Sequence, residues 1–395
     1  MVNPIGKIGG AERVLLSVLT SLRDRFVDLQ ATVITLTDGP LLEESERLGA
    51  DSVCLEASDA LNTIGESRHA LAALARAGFA APRALGLAGR LRKLIDSRQA
   101  DIVHSFGLKT HLLLALRPPH RATVVWQVQD YYSRRTLSRL LCGPASRTAA
   151  CVIGDSESVA RDTRALVKSD KVIAIDNAVD TQRYTPDGKC ADLDSAGGRA
   201  GVSTGVLKIG LVAAYARWKG QPTFLEAARR VIESTDAEVR FYVIGGPIYS
   251  TSGQFTREEL EQLADRLGIR NRVCFVPFQA DTAPVFRALD VVVHASTDPE
   301  PFGLVVTEAL ACGRPTIVAG AGGAADIITD GVDALTHKPG DAQDLAAKIL
   351  ALVEDPALRA RLGAQGLETA RRSYGLDRYA DQVEAVYRRL ASRGR

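Results

Sequence analysis

Two glutamates stand eight residues apart where an apolar strand that ends at Ser296 passes through a loop into a helix. Glu300 lies in the loop and Glu308 lies within the helix, which we expect to begin near Phe302. Eight residues of helix span about 12 Å, and at 3.6 residues per turn Glu308 returns to within about 80° of the direction of Glu300. A carboxylate accepts hydrogen bonds from a pair of vicinal hydroxyls. The spacing therefore predicts two carboxylates facing one extended ligand, as long as a sugar, a diphosphate and a ribose in a row.

A second segment supplies positive charge. The predicted strand Leu207–Ala213 is followed by Arg217 and Lys219, which precede a helix beginning near Gln221. Cations at the carboxyl end of a strand and free N–H groups at a helix N-terminus, such as the one near Gly303, both bind a diphosphate. Because Arg217 and Lys219 would neutralise that group, we expect neither a metal ion nor another cofactor.

Glycines mark where backbone can approach a ligand closely. Gly246 follows the strand Arg240–Ile244, and Gly303 lies between Phe302 and Leu304 in the two-glutamate segment. We expect all four of these residues to contact the donor end of the ligand. Near the N-terminus Gly9 and Gly10 open a helix after a glycine-rich turn. They form either an ordinary tight turn or an open floor for a ligand, and we favour the floor.

Composition excludes several classes of protein. With 395 residues, 46% hydrophobic and 24% charged, the chain is neither disordered nor fibrous and should form two or three folding units. The net charge of +2 argues against nucleic acid as a partner. No stretch approaches the roughly 20 apolar residues that a bilayer requires, and the first ten residues lack the apolar core of a secretory signal. We expect a cytoplasmic protein whose six scattered cysteines are buried.

Short β-branched runs alternate with helix-period segments along the whole chain, which is typical of parallel sheets covered by helices on both faces. We predict an α/β protein with two doubly wound, Rossmann-like domains facing across a cleft. The expected boundaries are residues 1–180 for the acceptor-side domain, 181–205 for a flexible linker rich in Gly, 206–375 for the donor-side domain, and 376–395 for a helix that crosses back to the first domain.

The first strand is predicted to be truncated, because only Met1–Pro4 precede the first glycine-rich turn. Either the true start lies upstream or the first sheet lacks its central strand. The remaining predicted strands are residues 31–36, 101–106, 123–128, 151–154, 171–175, 207–213, 240–244, 272–276, 291–295 and 316–319. The predicted helices are residues 11–25, 84–98, 156–166, 221–233, 256–267, 303–311, 342–353 and 376–390.

Six ordered signatures resemble the retaining GT-B glycosyltransferases of family 4, also called glycosyl transferases group 1, over nearly the whole chain. They are the E-x7-E run from Glu300 to Glu308, Lys219-Gly220, Gly10-Ala11-Glu12, Gly322-Gly323, Asn177-Ala178-Val179-Asp180 and Asp330-Gly331. The resemblance implies a metal-independent enzyme that moves a sugar, with retention, from a UDP- or GDP-sugar to an unidentified hydroxyl of a glycan, lipid-linked or small-molecule acceptor.

The resemblance also implies roles for individual residues. Glu300 would lie beside the donor sugar, Glu308 would bind the ribose hydroxyls, and Lys219 with an arginine would hold the diphosphate. Gly9 and Gly10 would line the cleft from the acceptor side. The departing phosphate oxygen would take the acceptor proton on the same face, and stabilising that leaving group would be the main contribution of the protein.

Two positions depart from the family pattern. The family arginine stands further upstream of the lysine, where this chain has Ala214, so Arg217 would reach the diphosphate from another point of the loop. The strand Thr123–Val128 ends in Trp126-Gln127, where the family often has an aromatic-His pair that faces the donor sugar. Gln127 can bond a sugar hydroxyl but cannot hold a proton. An acid–base role would then be lost or moved to His104, Asp130 or another group.

Basic residues recur in the first half of the chain, on the segment 82–98 and again after the Trp126 strand at Arg134, Arg135 and Arg139. Such faces could dock an anionic membrane or a lipid-phosphate acceptor; an ordinary solvated face is the alternative. Two other functions stay open from the sequence, namely a nucleotide-sugar epimerase of GT-B-like fold and a non-catalytic nucleotide-sugar-binding subunit.

Overall fold

The alternation of β-branched runs and amphipathic segments builds two parallel β-sheets, one in each of two units. The first unit contains Met1–Ala178 and Leu376–Arg395, and the second contains Val179–Gly375. The computed structural model describes residues 1–57 except 24 and 27, and residues 70–199, 205–247 and 253–392. Neither unit has, among these residues, a helix that is long and apolar enough to span a bilayer.

The first sheet has seven parallel strands within the described residues, in the order β3-β2-β1-β4-β5-β6-β7. Its strands are β1 (Val2–Asn3), β2 (Thr32–Thr35), β3 (Asp51–Cys54), β4 (Ile102–Phe106), β5 (Thr123–Val128), β6 (Cys151–Gly154) and β7 (Val172–Ala174). The helices of this unit are α1 (Gly10–Arg23), α2 (Pro40–Arg47), α3 (Ala70–Ser97), α4 (Leu108–Leu116), α5 (Thr136–Ala145) and α6 (Glu157–Val167).

The second sheet has six parallel strands in the part of the chain that the structure describes, in the order β10-β9-β8-β11-β12-β13. These are β8 (Leu207–Val212), β9 (Val239–Ile244), β10 (Val273–Val276), β11 (Val291–His294), β12 (Thr316–Ala319) and β13 (Leu335–His337). The helices are α7 (Leu193–Ala196), α8 (Gln221–Ser234), α9 (Arg257–Arg266), α10 (Ala283–Arg287), α11 (Leu304–Ala311), α12 (Gly323–Asp326), α13 (Ala342–Glu354) and α14 (Pro356–Ser373). Apolar cores cover both faces of the sheet.

The last helix, α15 (Leu376–Ala391), packs in the first unit. Its apolar positions repeat at helical spacing, and Tyr379, Val383, Val386 and Leu390 are buried in the core that α1 also lines. The guanidinium of Arg25, two residues after the end of α1, pairs with carboxylates of α15, those of Asp381 and Glu384. One apolar face of α15 is buried, and ion pairs form at the edge of that face. Together they account for the position of this helix. Residues 393–395 lie outside the described part of the chain.

The structure decides between the two explanations offered for the short first strand, and it differs from the sequence prediction at the linker. A two-residue β1 is present in the centre of the first sheet, between β2 and β4, so this sheet does not lack its central strand. Residues 181–199 of the predicted linker belong to the second unit, where Tyr184 and Leu193 are buried and Asp194 bonds Arg240 at 2.8 Å. The buried side chains of Tyr184 and Leu193 hold this segment in the core of the second unit. Residues 200–204 of the linker lie outside the described residues.

Candidate active site

Lys219 and Glu300 meet in the second unit at the point where the strand order reverses. The neighbours β8 and β11 are not consecutive in the chain, so the connections that follow them lead away in opposite directions across the sheet. Ligands of open α/β sheets bind outside the carboxyl ends of the strands at such a switch point. Lys219 follows β8, Glu300 follows β11, and Lys219 Nζ donates to Glu300 Oε1 at 2.6 Å.

The turn that carries Lys219 depends on a glycine. Gly220 has a φ of +76°, and a Cβ at this position would stand 1.8 Å from the carbonyl oxygen of Ala295. The amide of Thr297 donates to the carbonyl of Trp218 at 2.8 Å and joins the same two loops. Only glycine allows this close approach of two backbones. The ammonium of Lys219 is thereby held over the Trp218 ring, 4.3 Å from its centroid.

The second oxygen of Glu300 has its own donors. Oε2 lies 2.6 Å from His294 Nε2 and accepts from Ser296 Oγ at 2.9 Å. The side chain is only 12% exposed. Burial acts most strongly on the pKa of Glu300 and raises it, but Lys219 and His294 together outweigh burial and leave that pKa well below its usual range. Glu300 is therefore an ionised acceptor at neutral pH and not a proton donor.

Glu308 occupies a different environment. It is buried on α11, and its Oε2 accepts from Thr282 Oγ1 at 3.3 Å. The helix begins only at Leu304, because Pro301 and Gly303, which has a φ of +98°, do not fit a helix. The premise of eight helical residues between the two glutamates is therefore wrong, since Glu300 lies in extended backbone that bridges to Gly322.

Three of the residues predicted beside the donor have clear structural surroundings. The Phe302 ring is buried and lies 6.0 Å, edge to face, from the Tyr374 ring, so it anchors α11 in the core. Leu304 is half-buried against the same core. The Gly246 carbonyl accepts from the Tyr215 amide at 3.0 Å, while the space where a Cβ would stand is open up to Phe278, 4.0 Å away. Gly246 thus keeps an open backbone at the carboxyl edge of the sheet.

Arg217 is held by other contacts than those of Lys219. Its guanidinium lies over the Phe255 ring, 4.4 Å from the centroid, and its Nη2 is 3.5 Å from Glu259 Oε1 on α9. Its side chain is 50% exposed. The two cations that the sequence grouped together therefore point to different partners in the structure, and Lys219 is the one that contacts Glu300.

In the first unit, Gly9 and Gly10 open α1 and are fastened by Glu12. The Gly9 amide donates to Glu12 Oε2 at 3.0 Å, while Glu12 Oε1 accepts from Asn3 Nδ2 at 3.2 Å. Burial raises the pKa of Glu12. The side chain of Gln129, at the end of β5, donates to the carbonyl of Ala11 at 3.2 Å. Glu12, part of the Gly10-Ala11-Glu12 signature, and Gln129 fix this loop, and the sequence did not predict this role for either of them.

Gln127 and His104 are interior residues of the same unit. Gln127 was predicted to line the cleft, whereas for His104 the sequence left open either a place at the cleft or an ordinary interior position. Neither side chain of the pair is exposed by more than 1%. His104 Nδ1 lies 2.9 Å from the Tyr387 hydroxyl of α15, and burial lowers the pKa of His104 to about 3. The central strands place these side chains beneath α1 and α15. Gln129, two residues after Gln127 on the same face, is half-buried and reaches the glycine loop instead.

Comparison with known proteins decides the family. The model of "Glycosyltransferase Family 4" matches residues 8–183 and the model of "Glycosyl transferases group 1" matches residues 200–369. A relative from Stackebrandtia nassauensis, named D-inositol 3-phosphate glycosyltransferase, is 31% identical over 314 residues, which are 73% of this chain and 68% of the relative. The chain belongs to the family 4 glycosyltransferases.

Further similarity agrees with this membership. A relative from Actinosynnema mirum with the same name is 30% identical over 315 residues, which are 73% of this chain and 72% of the relative. The Anabaena protein Alr3699/HepE, solved in complex with UDP-glucose, superposes with a TM-score of 0.80 over 98% of both chains at 24% identity. The fold of this family 4 glycosyltransferase is therefore GT-B, with two Rossmann-like domains.

Sequence reasoning overlooked two residues that touch Glu300. The position of His294 at the end of a predicted strand favours packing, and the sequence pattern assigned no role to Ser296. A signal for both was present, because residues i and i+2 at the end of a strand point to one side. Two polar side chains spaced in this way after the apolar run Val291–Val293 indicate a functional strand end in this glycosyltransferase.

Proposed function

We propose that this glycosyltransferase moves a sugar from a UDP- or GDP-sugar to a hydroxyl-bearing acceptor with retention of the anomeric configuration. The contact of Lys219 with Glu300 at the switch point of the second sheet carries the proposal. It combines a cation for a diphosphate with an ionised carboxylate for sugar hydroxyls. The UDP-glucose complex of the structurally similar Anabaena protein supports a nucleotide-sugar donor.

In the proposed mechanism Lys219 stabilises the negative charge that develops on the diphosphate as the glycosidic C–O bond breaks. Arg217 would leave its exposed contact with Glu259 and add charge, so that no metal ion is required. An oxocarbenium-like centre forms at the anomeric carbon, and the acceptor oxygen attacks it on the face that the diphosphate leaves. The departing phosphate oxygen takes the acceptor proton, so the protein acts by electrostatic stabilisation.

The two glutamates then divide the donor between them. Glu300, which stays ionised, accepts from hydroxyls of the sugar. Glu308, buried on α11, accepts from the vicinal hydroxyls of the ribose. Their different surroundings support the division, since Glu300 is bonded to charged and polar side chains whereas Glu308 bonds the hydroxyl of Thr282.

The names of the relatives suggest which acceptors to assay first. Several are D-inositol 3-phosphate glycosyltransferases, and the matched segments span about two thirds of their lengths. We therefore propose a small phosphorylated polyol as one acceptor, beside glycans and lipid-linked hydroxyls.

The test is a panel of UDP- and GDP-sugars, measured first for binding by calorimetry and then for turnover with and without acceptors. We expect one donor to bind, to be hydrolysed slowly alone, and to give a product of retained configuration by NMR. Conversion of the donor into an epimer without acceptor would indicate an isomerase. Tight binding with neither hydrolysis nor transfer would indicate a binding subunit, and an inverted product would refute retention.

We also propose that the first unit contacts an anionic membrane surface. Residues 82–154 contain twelve Lys and Arg but three Asp and no Glu, against a net charge of +2 for the whole chain. Of the six large hydrophobic side chains that are exposed in the described residues, four lie on the mutually packed helices α3, α4 and α5, namely Leu85, Leu116, Leu140 and Leu141. Exposed leucines among arginines are typical of interfacial binding.

Vesicle flotation measures this contact. We expect the protein to float with vesicles containing phosphatidylglycerol and not with pure phosphatidylcholine, and salt to weaken binding. Each basic residue near the surface contributes about 1 kcal/mol, so R139E/R147E should weaken binding at least about 10-fold. The matched control is R371E/R372E, a pair of charge reversals on the exposed face of α14 in the second unit. Equal binding to both kinds of vesicle would refute the contact.

A further inference from the structure

The strand end before Glu300 presents two polar side chains to a single oxygen. His294 is the last residue of β11, and Ser296 follows two positions later. His294 Nε2 lies 2.6 Å, and Ser296 Oγ 2.9 Å, from Glu300 Oε2. Both His294 and Ser296 are buried, so they form this contact away from water. Of Lys219, His294 and Ser296, only Lys219 contacts the other oxygen, Oε1.

The tautomer of His294 follows from its other nitrogen. The amide of Ala319 on β12 donates to His294 Nδ1 at 3.3 Å. An imidazole nitrogen that accepts a hydrogen bond carries no hydrogen, so the hydrogen resides on Nε2. His294 therefore donates to Glu300 and does not accept from it.

A second histidine holds the backbone of the first. His337 lies at the end of the edge strand β13, and its Nε2 is 3.1 Å from the carbonyl oxygen of His294. The strand β12 lies between these two strands and pairs Ala319 with His337. The ring of His294 is thus held by a bond from β12, and its backbone carbonyl by a bond from β13.

We propose that His294, assisted by Ser296, is a positioning residue that fixes the rotation of the Glu300 carboxylate for the donor sugar. The terminal torsion of a glutamate is broad and nearly two-fold, so a carboxylate held only by Lys219 would rotate. Two donors on Oε2 stop that rotation and keep Oε1 toward Lys219. The inference rests on the proposed function, in which Glu300 lies beside the donor sugar.

The experiment compares H294L, which removes the donor, with H294Q, whose amide nitrogen replaces Nε2 as donor but does not titrate. We expect H294L to lower kcat by about 10- to 100-fold, the range for a hydrogen bond to a charged group, with the donor KM within threefold. H294Q should recover most of the activity. S296A should lower kcat less than H294L, and S234A, at an exposed serine at the end of α8 in the same unit, should leave it unchanged.

The pH profile separates positioning from a general loss of structure. His294 lowers the pKa of Glu300, so without it Glu300 takes up a proton at higher pH. The activity of H294L should then fall on the acid side at a higher pH than that of the wild type or H294Q. Thermal melting confirms that each variant is folded, and S296A carries the same test if H294L does not fold.

Wild-type kcat and pH profile in folded H294L, or in S296A if H294L does not fold, would overturn the inference. Equal loss in H294Q and H294L would also overturn it, because the donated hydrogen would then not matter. Failure of the proposed function is distinguished by E300Q. Full activity of E300Q removes Glu300 from the site, whereas an impaired E300Q beside an active H294L refutes only the positioning role.

Discussion

Replacing Lys219 by Ala should lower kcat by about 100- to 1,000-fold, the range for losing one preorganised donor to a developing negative charge. The loss falls on turnover because the diphosphate gains most of its leaving-group charge in the transition state. The measurement is initial rate at saturating donor and acceptor. K338A is the matched control, since that lysine is exposed in the same unit, with Nζ 4.0 Å from Asp341.

The effects of mutating Lys219 and Glu300 on activity should also be strongly non-additive. Lys219 Nζ and Glu300 Oε1 are 2.6 Å apart, and groups in contact couple by about 0.5–3 kcal/mol in double-mutant cycles. In K219A the Glu300 carboxylate keeps its burial but loses its ammonium partner, so its pKa rises and activity should disappear on the acid side at a higher pH than in the wild type. K219A within threefold of the wild type at every pH would remove Lys219 from the reaction.

Replacing Glu308 by Ala should instead weaken the donor. A buried carboxylate that accepts from two ribose hydroxyls contributes about 1.5–3 kcal/mol per hydrogen bond to the charged group, so we expect the donor KM or Kd to rise by at least about 100-fold. Binding of the nucleotide diphosphate alone should weaken by the same factor, because the ribose belongs to it. Calorimetric titration with UDP or GDP measures this directly.

Two variants make the Glu308 prediction specific. E308Q keeps one acceptor oxygen and should weaken the donor less than E308A does. E368A removes an exposed glutamate from α14 in the same unit and should leave binding unchanged. A lower kcat with unchanged nucleotide binding in E308A would contradict the ribose role and place Glu308 near the reacting bond.

Periodicity was sufficient for most of the fold. Runs such as Val291–Val293 and Ile317–Ala319 are apolar and mostly β-branched, as is typical of strands buried on both faces. The pattern failed at one edge of each sheet. Asp51–Cys54 and Leu335–His337 are short, half polar and only partly buried, and no strand was predicted there.

Burial of individual site residues was not predictable from the local pattern. Gln127 and Gln129 have the same side-chain type on the same strand face, yet the first is covered by the helices packed on the sheet while the second reaches the Ala11 carbonyl. The covering helix α15 comes from the other end of the chain. The sequence near residue 127 therefore does not indicate that α15 covers this side chain.

The amino-acid sequence by itself predicted which segments would carry the chemistry, since Glu300 and Lys219 follow strands whose ends are marked by glycine and proline, and Glu308 lies in the helix that comes next. Tertiary structure alone decided the partners of each side chain. Lys219 and Glu300 are 81 residues apart and meet because β8 and β11 are neighbours across the reversal of strand order. Pairing across such a crossover depends on how whole strands pack, and no local spacing encodes it.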